Sequence, residues 1–503
     1  MKSIFKAVAV VTIFSVITRT LGFFFRIFLS RKLGAEGLGL FQMACNILGI
    51  FMTLITSGLP LTTAKMVTKY EVCNDLKKRN QVVTSSSIIA IVVALASSLL
   101  ILLLKSVWGI VLTDNRAVEL LMVMIPSIIF SSIYAIFRGA LWGQSDYFNC
   151  GLTELLEQIV RFVLTSIMLI NVVDFFEATL RSALAFNITC LVSAILAMII
   201  YFRRAKLSFG KGEYRSILKS ALPITGVRLA NSLVQPLTTL IMPTMLILSG
   251  YTQNEAIASF GVVMGMTFPM LFVPMAVIGS ISMVLIPSIS SMLTKNQHNQ
   301  IGENITKSIN VSIFISMLFV PLYLSVGDMI GIILYNNAMS GAILQLSALC
   351  VLPITLCNLT GSILNALNLE VKSFVNYLVG SAVLFAILLG TTWLIGINSI
   401  VLSFFLSMSI ITMLNLKKIK AVLPDLKLKI MPTILKYFLI CVPASLLGHF
   451  VGSICLKFLP IFISCVVGGS VSILATLIVC SIFNIYNLKQ LMALIKSRKR
   501  SKA

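Results

Sequence analysis

Long apolar runs, broken by short polar and basic interruptions, make up almost the whole chain. A run of about 20 apolar residues crosses a bilayer as a helix. Fourteen such stretches begin near residues 4, 38, 82, 118, 152, 179, 218, 255, 306, 340, 373, 397, 433 and 460. The pattern predicts an all-α polytopic membrane protein of about 14 transmembrane helices. Between them no segment exceeds about twenty-five residues, too short for an independent domain. Composition agrees: 58% of residues are hydrophobic and 11% charged, and a mean hydropathy of +1.02 excludes a soluble globular protein.

The polar interruptions set the orientation. If the N-terminus is cytoplasmic, alternate loops place 28 of the 39 Lys and Arg residues on that side and six on the other. The positive-inside bias therefore predicts a multi-pass protein of the cytoplasmic membrane with both termini cytoplasmic. The net charge of +23 reads as this bias plus attraction to anionic membrane lipids, not as nucleic-acid binding. Lys2 and Lys6 ahead of an apolar run resemble a signal peptide, but no small-residue cleavage site follows, so a retained first span is expected. Ten cysteines stand singly with no C-x-x-C pair, which predicts free core thiols. With only His298 and His449 besides, no catalytic cluster, metal or cofactor is expected and an enzyme is disfavoured.

Prolines suggest an internal repeat. Pro60 and Pro287 sit in similar surroundings (Leu-Pro-Leu-Thr-Thr and Ile-Pro-Ser-Ile-Ser), and so do Pro126 and Pro353; both separations are 227 residues. Proline removes a helix hydrogen bond and bends the rod, so each marks a local geometric feature. The offset covers six spans, which predicts a parallel repeat of two pseudo-symmetric six-helix lobes. The expected organisation is an N-terminal lobe at 1–205, a basic cytoplasmic linker at 206–215 and a C-terminal lobe at 216–416. A basic loop at 417–432, two further helices at 433–486 and a basic tail at 487–503 complete it.

Five arginines fall inside predicted spans: Arg19, Arg26, Arg138, Arg161 and Arg228. A cation at a helix centre costs about 2.5–3.5 kcal/mol even on lenient scales, so each must pair, face water or bind an anion. Arg19 and Arg26 are two turns apart on one face of the first span, which contains no acid. Arg228, Asn231 and Gln235 share a face of the seventh span, just before Pro236, and Asn365 lies on the tenth. Unpaired guanidinium forks suit phosphate oxygens in bidentate fashion. Arg19, Arg26, Arg228, Asn231, Gln235 and Asn365 are therefore the candidate substrate-binding residues. Glu157 and Arg161 are an i, i+4 pair of favourable order. With Arg138 and Glu154 they form a secondary set in which helix–helix hydrogen bonding competes with a binding role. Glu154 and Glu157 are the expected intramembrane acids. They lie near a span end, which disfavours a cation-coupled drug exporter needing a deep carboxylate.

The stretch Ile17-Thr-Arg-Thr-Leu-Gly-Phe-Phe-Phe-Arg-Ile-Phe-Leu-Ser-Arg-Lys-Leu-Gly-Ala-Glu-Gly-Leu-Gly-Leu-Phe-Gln42 resembles the start of the polysaccharide-transporter family. That family belongs with the multidrug and lipid II exporters in one flippase superfamily. Ser57-Gly-Leu-Pro60 and Ala221-Leu-Pro-Ile-Thr225 support the likeness, and the branch it resembles is that of stage V sporulation protein B. The resemblance implies flipping of an undecaprenyl-diphosphate-linked oligosaccharide to the outer leaflet, a peptidoglycan precursor for spore cortex or another cell-wall glycan. It implies a lipid-linked glycan as cargo and cell-wall synthesis proteins as partners. A coupling ion or the membrane potential would supply the drive. A cation-coupled multidrug antiporter on the same scaffold is the alternative, and a membrane enzyme or structural factor of cell-wall assembly a more distant one.

Overall fold

The structure is a computed structural model that describes residues 2–203, 205–209, 213–294, 297–424 and 430–482. The tail 487–503, parts of the linker 206–215 and of the loop 417–432, and the side chain of Asn231 lie outside the described residues. Among the described residues the chain is helical throughout, with no strand. Ten helices are long and apolar enough to cross a membrane, or up to twelve if each of two bent pairs is one span. The expected fourteen differ from that count at two further places. The residues of the first two spans share one rod, Val10–Val72. Helix Tyr147–Met168, the expected span near 152, carries Glu154, Glu157 and Arg161, and that charge keeps it out of the ten.

Contacts divide the chain into two compact units, Met1–Gly265 and Met266–Ala503. The first contains α1 (Lys2–Thr56), α2 (Gly58–Val72), α3 (Leu76–Leu103), α4 (Lys105–Val111), α5 (Asn115–Met124), α6 (Pro126–Gly143), α7 (Tyr147–Met168) and α8 (Phe175–Phe202). It continues with α9 (Tyr214–Ser232), α10 (Val234–Leu248) and α11 (Gln253–Phe260), and a π-helical turn, Gly261–Thr267, carries the chain across the division. Thus α9 to α11, which the sequence groups with the second lobe, make their contacts with α1, α2 and α3.

Local chemistry explains where the rods break. Gly34 inside α1 takes φ 67° and ψ −175°, a conformation that only glycine adopts without strain, so the rod turns there. Asp75, Asp146 and Asp174 cap α3, α7 and α8 by accepting from the backbone amides of Lys78, Asn149 and Glu177, satisfying donors that a helix start leaves orphaned. The Lys78 amide, helped by the Lys78 ammonium, holds the Asp75 carboxyl below its ordinary range.

Packing follows membrane rules. Leu102, Leu103, Ile110 and Val173 point outward, while glycines and hydroxyls fill the interior. A Cβ on Gly139 would lie 2.6 Å from the Pro60 carbonyl oxygen, and one on Gly143 equally near that of Ala64. Thr63 donates to Ser86 at 2.8 Å, and Thr68 to the Gly143 carbonyl at 2.8 Å. Small residues let these rods approach until van der Waals contact and buried hydroxyl bonds hold them.

The second unit contains α12 (Phe268–Leu271), α13 (Val273–Thr294), α14 (His298–Tyr335), α15 (Ala338–Leu346), α16 (Val351–Ala366), α17 (Glu370–Ile395), α18 (Asn398–Val422), α19 (Ile430–Leu456) and α20 (Ile461–Ile482). The last two, expected as additions to the lobes, pack firmly on α14. Pro321 and the non-helical Val326 (φ −130°) break α14, and α19 caps carbonyls around the break. Cys441 Sγ donates to Met317 O at 3.6 Å, and His449 Nδ1 lies 3.0 Å from Ser325 O. Of the repeated prolines, Pro126 and Pro353 both open a helix after a break, as the first residue of α6 and the third of α16. Pro60 also follows a break, whereas Pro287 sits well inside α13.

Candidate functional site

The five intramembrane arginines meet two fates. Arg138, on α6, places Nη2 2.7 Å from Glu154 Oε2 on α7. Its nearer acid in sequence, Asp146, is spent on the α7 cap. One turn further along α7, Arg161 pairs with Glu157 in the expected i, i+4 relation and lies over the Phe186 ring at 5.5 Å. Both pairs are partly buried between α6, α7 and α8, where an uncompensated charge of either sign would be costly. Both α7 glutamates therefore already hold a guanidinium.

Arg19 and Arg26 keep the shared face that their spacing predicts. α1 packs on α7 through Gly22 beside Gln158 and through Phe25 and Phe28 against Phe162, with ring centroids 6.1 and 5.4 Å apart. Thr18 and Leu29 are buried on that side, and Arg19 and Arg26 are exposed beside it. On α9, Arg228 is exposed, and so is Gln235 at the start of α10. Arg19 and Arg228 make no ion pair among the described residues. Arg19, Arg26, Arg228 and Gln235 thus belong to one compact unit, in which α1 and α9 touch. Asn365 is exposed on α16 of the second unit.

Sequence reasoning missed two polar features. Asn46 Nδ2 donates to Thr239 Oγ1 at 2.6 Å, joining α1 to α10, while Gln42 Nε2 donates to Asn46 Oδ1 at 2.9 Å. Two amides one turn apart in an apolar rod are the signal that marks this strip. Asp328 also falls within a candidate span, Gln300–Tyr335, so Glu154 and Glu157 are not the full intramembrane acid set. Its Oδ1 is buried without a hydrogen-bond partner among the described residues. Between α19 and α20 lies a cavity of about 450 Å³, lined by Leu439, Pro443, Leu447, Ala475 and Val479 together with the charged Lys436.

Residues 4–293 match the family model described as polysaccharide biosynthesis protein. Stage V sporulation protein B of Bacillus subtilis (strain 168) is 22% identical over 429 residues, covering 82% of this chain and 83% of that protein. Sporulation protein YkvU of the same organism is 20% identical over 322 residues, 61% of this chain and 70% of that one. Among solved structures, the inward closed conformation of the lipid II flippase MurJ superposes with a TM-score of 0.70 at 15% identity, covering 94% of this chain and 98% of that one. An inward-facing multidrug resistance MATE family transporter reaches 0.67 at 13% identity, covering 81% and 95%. The solved structures share the multi-pass membrane fold of this chain, and with more than half of its length matched by the family model, the chain belongs to the polysaccharide biosynthesis protein family.

Proposed function

We propose that the protein is a flippase that moves an undecaprenyl-diphosphate-linked oligosaccharide across the cytoplasmic membrane by alternating access of two six-helix lobes, with both termini cytoplasmic. One observation carries the reading. The two α7 glutamates are consumed by Arg138 and Arg161, while Arg19 and Arg228 remain exposed without an ion pair among the described residues. What the α1 and α9 faces offer to a ligand is therefore positive charge in fork geometry, the chemistry that binds a diphosphate. In this reading Arg19, Arg26 and Arg228 hold the diphosphate, and Gln235 of the same unit meets the sugar. The apolar α19–α20 cavity has the character that a polyprenyl chain requires. The likeness to the lipid II flippase MurJ favours a peptidoglycan precursor as cargo. The membrane potential supplies about 2.3 kcal/mol per charge per 100 mV to bias the cycle.

Titration of the purified protein with a fluorescent undecaprenyl-diphosphate glycan tests this. Equal affinity in wild type and in an Arg19→Ala/Arg26→Ala/Arg228→Ala variant removes the arginines from the role. A cation-coupled multidrug antiporter is the second reading, favoured by the MATE-like fold and by the buried Asp328 oxygen that has no hydrogen-bond partner among the described residues. Its mark is Na⁺- or H⁺-dependent dye efflux that Asp328→Asn abolishes.

A further inference from the structure

The rod formed by α1 beyond Gly34 and by α2 is joined to α9, α10 and α11 along a seam within the first unit. One end of that seam carries a charge cluster that the cargo site does not use. Arg116, at the start of α5, places Nη2 2.8 Å from Glu36 Oε1, 2.7 Å from Asp114 Oδ2 and 3.0 Å from Asn254 Oδ1. Its Nε donates to Asp114 Oδ2 at 3.1 Å, and the guanidinium lies over the Phe175 ring at 5.7 Å. Beside it, Gln253 Nε2 donates to the Thr113 carbonyl at 2.6 Å. Glu36 follows the Gly34 turn of α1, Gln253 and Asn254 open α11, and Phe175 opens α8. One guanidinium thus ties four helices.

Next to the cluster the rods meet backbone to backbone. A Cβ on Gly39 would collide with Ile257, one on Gly261 with Ala35 and Gly39, and one on Gly265 with Leu38. The far end of the seam is held differently: Tyr70 Oη donates to Glu213 Oε1.

We propose that Arg116 is a latch, holding the α1–α11 seam shut at the Glu36 end and releasing Glu36 and Asn254 when that end opens. The inference rests on the two-sided access proposed above. Asp114 is what suits Arg116 to the task. It lies two residues away on the same segment, is nearly buried, and engages the guanidinium with both oxygens. That fork keeps Arg116 poised and charge-compensated after its bonds to α1 and α11 break. The side chains of the cluster keep partial exposure, Arg116 at 29% and Glu36 at 24%. The Glu36 contact is an ion pair whose Oε1 is buried and makes no hydrogen bond among the described residues, so little directional bonding is lost when it separates, and water entering the opening replaces the contact.

The seam residue Leu38 is 2% exposed and reports opening if replaced by cysteine. Labelling of Leu38→Cys by a polar maleimide is measured in detergent-solubilised full-length protein, against the parent chain with its ten native thiols, so access does not depend on orientation. Arg116→Gln should raise the Leu38→Cys rate on the order of tenfold, equivalent to about 1.4 kcal/mol less favourable closure. Arg116→Lys should fall between, because a point charge cannot serve three partners in a fork. Where Arg116→Gln yields no folded protein, the Gln253→Ala/Asn254→Ala variant leaves the Asp114 fork intact and must raise labelling in the same direction. Unchanged labelling in either overturns the latch. Raised labelling in a protein that fails to bind the diphosphate glycan supports the latch and rejects the cargo reading instead, so the two fail separately.

Discussion

Arg138 and Arg161 can be set against Arg19 and Arg228: the same side chain, in helices of the same unit, put to opposite use. The first two lie where α6, α7 and α8 converge, and each meets a glutamate of α7. The second two stand on the exposed sides of α1 and α9, where the described helices bring them no acid. An arginine between packed helices must be neutralised by the protein, and the pair that results fixes the helices relative to one another. An arginine left on an open face keeps its charge for whatever arrives. The difference teaches that, in a membrane bundle, a cation becomes a structural or a binding element according to which helix face it occupies.

Three experiments press on this contrast. The largest effect should come from Arg19→Ala/Arg26→Ala/Arg228→Ala. Affinity for an undecaprenyl-diphosphate glycan should fall by about 1–3 kcal/mol for each charge-assisted hydrogen bond removed. Thermal stability should meanwhile stay within about 0.5 kcal/mol of wild type. A melting temperature that collapses in this variant would place the exposed arginines among the structural ones.

Next in size, Arg161→Met strands the Glu157 carboxylate between helices and should cost about 3 kcal/mol, read as an earlier unfolding transition in detergent. The double variant Arg161→Met/Glu157→Leu should recover most of that deficit, because replacing both members of a buried pair by apolar residues is often neutral. If the double variant is as damaged as the single one, Glu157 has a role beyond neutralising Arg161.

The smallest effect is expected at the α1–α10 junction. Asn46→Ala removes the hydrogen bond to Thr239 and should cost about 1 kcal/mol, while Asn46→Gln should restore little because the longer amide misplaces the donor. Equal stability of all three proteins would show that Thr239 finds another partner and that the junction is held by packing alone.

Much of the architecture is legible along the chain, because a bilayer imposes length and apolarity on every crossing and each crossing announces itself locally. The caps Asp75, Asp146 and Asp174 are local too, each preceding the helix it starts, but they emerged only with the structure. The Glu157–Arg161 pair is equally local, two residues on one helical face. The sequence also separates the first two spans near 4 and 38 and finds α7 near 152, although the structure joins the former in one rod turned at Gly34 and α7 carries three charges.

What the sequence determined by itself is therefore the class of molecule, its helical periodicity, the faces on which polar residues fall and the membership that its first spans advertise. Tertiary structure alone decided the partners. Arg138 takes Glu154 in preference to Asp146, Arg116 gathers Glu36 and Asn254, and Asn46 meets Thr239 at a separation of 193 residues. Periodicity fixes which side of a helix a residue occupies. Which other helix comes to lie against that side depends on glycine-permitted approach and on the summed packing of many rods, and no local run of residues encodes that.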